Sequence, residues 1–399
     1  MGAPTAETQA TTSSHRRLYI ACLVAMVVFA ASIVTPAVCL REIGAEFHLA
    51  LADRGLLGSL RMGALLAALL LAGYLADRFG KARFLTAGMV LIAAGMAATS
   101  LAGGYGALLA AQAVAGVGTG ALEALVNPLV AELHPEAPAR PLNIANGLFS
   151  VGLVMAALLA GEMLQAHLPW RATLWLWVAP ALIGAALFAT RGYPRAGRGD
   201  ISAAGGMAFL KHPLFWVLTV AMVLGGGCEA GMTFWGANFT EHEFAASARG
   251  GALTTAFFGA FMALGRFATG GLVSRVRPLL LMIGSAALCA SATAGLCIVR
   301  TLGGAWALFA LGGLFVACFW PTILAVASEK VQAGSATMFA LLAAAGISGC
   351  MAFPWLIGVI GDAAGLRAGA ALLPASMVLE VGVLVLAWRL GIRGTATPH

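Results

Sequence analysis

Twelve apolar stretches follow one another along this chain with almost no charge inside them, each near the ~20 residues a helix needs to cross a bilayer. They lie at roughly 18–40, 55–76, 84–102, 106–132, 142–166 and 171–191. A second set follows at roughly 213–240, 250–275, 278–298, 304–328, 335–361 and 367–389. No water-soluble fold of 399 residues has interior enough to hide them, because 61% of the residues are hydrophobic and only 10% charged. Lipid is the solvent that fits this pattern. The expected fold class is all-α and integral to a membrane, with twelve helices in two six-helix bundles.

The first apolar run is too long for the core of a signal peptide and is read as a retained helix. Residues 1–17 form a cytoplasmic tail, and the small, polar residues 1–14 are expected to be disordered. Residues 18–191 make the first bundle, the Gly/Arg-rich stretch 192–212 a central loop, and 213–399 the second bundle with a short tail. In so apolar a chain the net charge of +7 marks loops on one side of a membrane rather than a nucleic-acid surface. Among the 23 Lys and Arg residues only Arg61 and Arg266 fall inside spans rather than at their ends. Most of the others collect on one side if both termini are cytoplasmic, so the positive-inside rule expects that orientation in the plasma (inner) membrane. The seven cysteines sit mostly within apolar runs without a C-x-x-C pair, and read as small buried apolar side chains.

The two halves echo each other. Gly73-Tyr74-Leu75-Ala76-Asp77-Arg78 ends span 2, and Gly270-Gly271-Leu272-Val273-Ser274-Arg275 ends span 8 about half a chain later; Pro128 in span 4 likewise matches Pro321 in span 10. Two related halves imply a solute site between them near the midplane, exposed to each side in turn.

The run GYLADRFGKAR, Gly73 to Arg83, resembles the loop 2–3 signature of the major facilitator superfamily. That resemblance implies the major facilitator fold and a gating role for Gly73, Asp77, Arg78, Gly80, Lys81 and Arg83. Gly73 would let two helices approach closely. Asp77 would latch onto a basic residue or a helix N-terminus of the other half, whereas the second half carries Ser274 at the matching place. Arg78, Lys81 and Arg83 read equally well as simple topology signals. Glu123, Asn127, Pro128, Leu142, Asn143, Asn146, Ser150 and Gly152 resemble the helix 4–5 pattern of the fucose–proton symporter-like branch. Span 7, from Gly225 to Phe239, is similar to the G-x-E-x-x-x-x-x-W of sugar-transporting relatives. Two departures stand against fucose itself: span 1 has no acid, and Phe149 replaces the helix 5 asparagine of the branch.

Ionisable side chains inside a span are costly and are functional candidates for that reason. Of the sixteen acids, Glu123 and Glu229 lie well inside spans, while Glu162 and Glu380 are placed nearer span ends. Gln112, Thr119, Glu123 and Asn127 fall within about an 80° arc of helix 4, a polar stripe that should face a cavity or another helix. Glu123 there reads as a proton carrier, or else as a neutral hydrogen-bonded structural residue. Asn143, Asn146 and Ser150 share a face of helix 5, next to Phe149, which is able to stack on a sugar ring; helix-to-helix hydrogen bonding is the rival reading. Glu229 follows Gly225-Gly226-Gly227 and precedes Gly231, where a helix can break and expose backbone groups. Trp235 and Asn238 lie further along, with an aromatic-belt role open for Trp235. Arg61 either binds an anionic substrate, pairs with Glu162 or Glu229, or snorkels outward. Arg266 reads as a gating or structural residue before a substrate ligand.

The function expected is secondary active transport of a small polar, monosaccharide-like solute, coupled to H+ or Na+ and working as a monomer in lipid. Organic-anion transport and proton-coupled efflux are the alternatives. Span 5 lacks the G-x-x-x-G-P-x-x-G-G pattern of drug antiporters. No P-loop, G-x-S-x-G or H-E-x-x-H is present, so neither an enzyme nor a cofactor is expected, and the driving force must come from a gradient.

Overall fold

The computed structural model describes residues 6–137, 139–190, 193–194, 207–272, 275–331 and 336–393, and every regular element among them is helical. The first half comprises α1 (Ala6–Val38), the short α2 (Leu40–Glu46), α3 (Leu51–Phe79), α4 (Lys81–Leu101), α5 (Tyr105–Leu133), α6 (Ala139–Gln165) and α7 (Trp170–Phe188). The second comprises α8 (Pro213–Glu243), α9 (Ala248–Leu272), α10 (Pro278–Ile298), α11 (Leu302–Val316), α12 (Phe319–Lys330), α13 (Ala336–Ala364), the short α14 (Leu366–Ala370) and α15 (Leu372–Arg393). Twelve of the spans these helices make are long and apolar enough to cross a membrane. The protein is a multi-pass integral membrane protein.

Four expectations change. Helix extends back to Ala6 where a disordered tail is expected, since no glycine or proline interrupts the chain between Ala6 and Leu18. Span 10 is divided into α11 and α12 at Ala317 and Cys318, just before Pro321, whose ring has no N–H for a helix interior. Helix α8 does not break at its glycines. They serve close packing instead: a Cβ on Gly226 would sit 2.5 Å from the Gly346 carbonyl oxygen, and one on Gly227 2.4 Å from the Phe353 ring. Glu380 lies mid-helix in α15 with no exposed surface, not near a span end. Most of the central loop, and Ser274, fall outside the described residues.

The internal repeat governs packing. In the first half α3 packs on α5, α4 on α7 and α1 on α6; in the second α9 packs on α11, α10 on α15 and α8 on α13. The halves meet through α3 against α13 and α6 against α9.

An even number of crossings returns the chain to the face where it began, which defines a termini face and a far face. Every hydrogen bond joining the halves among the described residues lies at the far face. Arg249 of α9 donates to Glu162 of α6 from Nε at 2.6 Å and from Nη2 at 2.5 Å. The backbone N–H groups of Leu51 and Ala52, which open α3, donate to the two Asp362 oxygens of α13 at 2.8 Å each. Arg41 donates to the Ala246 carbonyl at 3.3 Å and lies 3.6 Å from Glu241. Below these bonds, glycines let the helices touch: a Cβ on Gly55 would meet the Pro354 carbonyl at 2.3 Å, and one on Gly58 the Phe234 ring at 2.6 Å. The molecule is therefore closed at the far face.

Short α2 is tied down within the first half. Glu46 accepts from Arg171 Nη1 at 2.6 Å and from the Trp170 indole N–H at 2.7 Å. The Arg171 hydrogen bonds hold the Glu46 carboxyl below its ordinary range. Between α3 and α4, Gly80 has φ +93°, a left-handed turn that a side chain resists.

Gly58→Leu should force Phe234 away and loosen the far face. Spin labels at positions 168 and 300, on opposite halves, should then report a longer-distance population; an unchanged distribution would count against this closure. Glu46→Gln tests the tether. Because the folded carboxyl titrates low, its contribution is present above the ordinary carboxylate range and lost as pH falls through the depressed value. The Tm deficit of the variant should be largest near pH 7 and shrink as pH falls below the ordinary carboxylate range.

Candidate functional site

Three ionisable side chains meet where the halves face each other. Glu123 comes from α5 of the first half; Glu229 of α8 and Arg266 of α9 come from the second. Arg266 Nη2 lies 3.4 Å from Glu229 Oε1, a single long contact. The other oxygen, Glu229 Oε2, is buried without a partner. Glu123 also feels the Arg266 charge, and no hydrogen bond to its carboxylate is found among the described residues. Glu123 and Glu229 are half-buried, and Arg266 is somewhat more open, with 30% of its side chain exposed. The Cys350 thiol, whose sulfur reaches the Gly226 carbonyl at 3.2 Å, lies within electrostatic reach of both glutamates. Arg266 thus touches one carboxylate, that of Glu229, while Glu123 of the other half lies beyond ion-pair distance but within range of its charge.

Local sequence explains why they converge. Small residues bring α5 close to α3, where a Cβ on Gly120 would lie 2.3 Å from the Leu65 carbonyl oxygen, so the polar face of α5 turns toward the cleft. Toward the termini face from Glu123, Asn127 Oδ1 accepts from Asn146 Nδ2 at 3.3 Å, and the same Asn146 nitrogen donates to the Leu142 carbonyl at 2.9 Å. Asn146 and Asn143 are exposed, Ser150 is buried, and half-buried Phe149 meets Phe29 edge-on at 5.4 Å.

The polar stripe of helix 4 therefore divides. Glu123 and Asn127 belong to the cleft. Gln112, buried, binds Arg61 instead, accepting from its Nη1 at 3.1 Å, while Thr119 donates to backbone carbonyls of its own helix.

Several expected roles are corrected. Arg61 neither snorkels nor pairs with an acid: it is 3% exposed, and Glu162 and Glu229 are taken by Arg249 and Arg266. Trp235 is core, not belt or sugar platform, because its indole N–H donates to the Pro354 carbonyl at 2.9 Å and its ring is buried. Asn238 is buried too, with Oδ1 unpartnered. At the loop between α3 and α4, Lys81 pairs with Glu132 of α5 inside the same half, Arg78 stands 5.5 Å from the Phe79 ring, and Arg83 is exposed. The side chains of Gly73, Tyr74 and Asp77 lie outside the described set, so the expected latch does too. Two features escaped the sequence, the Arg249–Glu162 bridge and the Arg266–Glu229 contact; the opposite charges were visible, but not the helix rotations that pair them.

With this geometry in place, the comparisons decide the family. The sequence profile described as Major Facilitator Superfamily matches residues 20–336. The chain belongs to that superfamily. That superfamily is one of secondary transporters of small-molecule solutes. A cis,cis-muconate transport protein of Acinetobacter baylyi is 27% identical over 169 residues, covering 41% of this chain and 40% of that protein. The chain thus matches well under half the length of that relative. The solved D-xylose-proton symporter has a TM-score of 0.76 at 14% identity, covering 94% of this chain and 97% of that one. A bacterial homolog of the human lysosomal transporter Spinster, in an inward-facing and occupied conformation, scores 0.75 at 17% identity over 95% and 96%. At such identities these structures speak for the fold alone.

Proposed function

We propose that this superfamily member carries a small organic anion together with protons, in the inner membrane with both termini cytoplasmic. One observation carries the reading: Arg266, inside the membrane, is held by one long contact to Glu229, with Glu123 of the other half within range of its charge. Moving a net charge through hydrocarbon is expensive, so the centre must stay nearly balanced while the halves rock. An incoming carboxylate that displaces Glu229 from Arg266 keeps the balance only if Glu229 takes up a proton. Substrate anion and proton then enter as a pair, and Glu123 is placed to exchange a second proton. Muconate, named for the Acinetobacter relative, is a dicarboxylate, which suits such a cation. In this orientation the closed far face is the outer one.

A monosaccharide is the second reading. It is favoured by the Asn127–Asn146 bridge in the cleft, which offers neutral donors and acceptors, and by the helix 4–5 resemblance to the fucose–proton symporter-like branch. The same protonatable pair would drive it.

Proteoliposomes with an alkaline interior distinguish the two. Cis,cis-muconate and shorter carboxylates should accumulate, whereas xylose and fucose should not. Arg266→Gln should weaken carboxylate binding at least about tenfold, or about 1.4 kcal/mol. Glu229→Gln and Glu123→Gln should abolish uphill accumulation and leave counterflow exchange. Undiminished uphill uptake by both glutamine variants would sink proton coupling through this centre, and accumulation of sugars alone would hand the site to the second reading.

A further inference from the structure

A second intramembrane cation sits apart from that centre. Arg61 lies ten residues into α3, about 15 Å along the helix from its start at the far face. Its Nη1 donates to Gln112 Oε1 at 3.1 Å and its Nη2 to Ser32 Oγ at 2.7 Å, while buried Nε has no partner. Gln112 is fixed in turn, donating from Nε2 to Thr99 Oγ1 at 3.1 Å. All these acceptors are neutral. No ion pair among the described residues includes Arg61. A guanidinium does not give up its proton in a protein, and a buried charge without a counter-charge is strongly destabilising.

A cavity of about 30 Å³ adjoins the side chain, lined by Arg61, Gln112, Thr99, Ile33, Leu57 and Phe234 among others. That volume takes one or two water-sized bodies, so a monatomic ion fits and an organic acid does not. Five of these residues belong to the first half. Phe234 comes from the second, and packs on Gly58 as part of the closed far face.

We propose that this cavity is a binding site for one halide-sized inorganic anion, with Arg61 as its counter-charge and Gln112, Ser32 and Thr99 fixing the guanidinium. The anion is enclosed while Phe234 covers Gly58, and exchanges when the far face opens. Its cation, Arg61, stands on a different half from Arg266, and the site is separate from the centre proposed for the transported solute.

Purified protein in sodium gluconate, titrated with sodium chloride or bromide at constant ionic strength, gives the test. The apparent Tm should rise saturably with either halide, because a ligand of the folded state stabilises it. Crystals grown in bromide should show an anomalous peak beside Arg61. Arg61→Met should lose the halide response. Gln112→Glu, which supplies an internal counter-charge, should be more stable in gluconate and bind halide at least tenfold more weakly, and it serves as the control if the methionine variant does not fold. Equal effects of gluconate and halide, no bromide peak, or a Gln112→Glu protein that keeps its halide response would each overturn the proposal.

Discussion

In lipid, an apolar side chain gains nothing by leaving its solvent, so helices associate through close contact of backbone with backbone. That condition runs through the whole molecule. Gly313 lies against the Phe258 carbonyl, Gly265 against that of Leu314, and Gly116 against that of Arg61, with a hypothetical Cβ 2.3 to 2.4 Å from each oxygen. These approaches fix helix spacing inside each half. They also fix which face of α5, α8 and α9 turns to the cleft, and so which few polar groups can meet there.

The halves also pack glycine against backbone, as Gly55 does on the Pro354 carbonyl, but the hydrogen bonds between them differ in character. Inside a half, glycine-to-backbone packing is supplemented by buried bonds such as Trp235 to Pro354. Across the far face the bonds are ionic and partly wet, with Arg249 and Glu162 each more than half exposed. Exposed pairs of this kind contribute little net stability because water replaces them readily. Rigid bundles joined by replaceable contacts are what rocking requires.

Much of this was legible in the sequence. Span number, the two-fold repeat and the intramembrane positions of Glu123, Glu229, Arg61 and Arg266 follow from run lengths and from the rarity of charge in hydrocarbon. Pairing was not legible. Whether Arg61 meets Gln112 or Glu229 depends on the rotation of α3 relative to α5 and α8, which hydropathy does not encode. The glycine run in α8 misled for a related reason: a glycine that permits a break and one that admits a neighbouring helix look alike in sequence. Trp235 misled because its depth in the bundle, not its distance from a span end, decides whether an indole faces lipid.

The bond from Asp362 to the start of α3 differs in kind from the other far-face contacts. Its donors are the peptide N–H groups of Leu51 and Ala52, which any residue other than proline supplies. Ordinary codon changes at those two positions leave the donors in place, whereas almost any change at Asp362 removes the acceptor. Apart from changes to proline, inherited variation therefore adjusts this contact from the Asp362 side, and the two bundles are unequal partners in it.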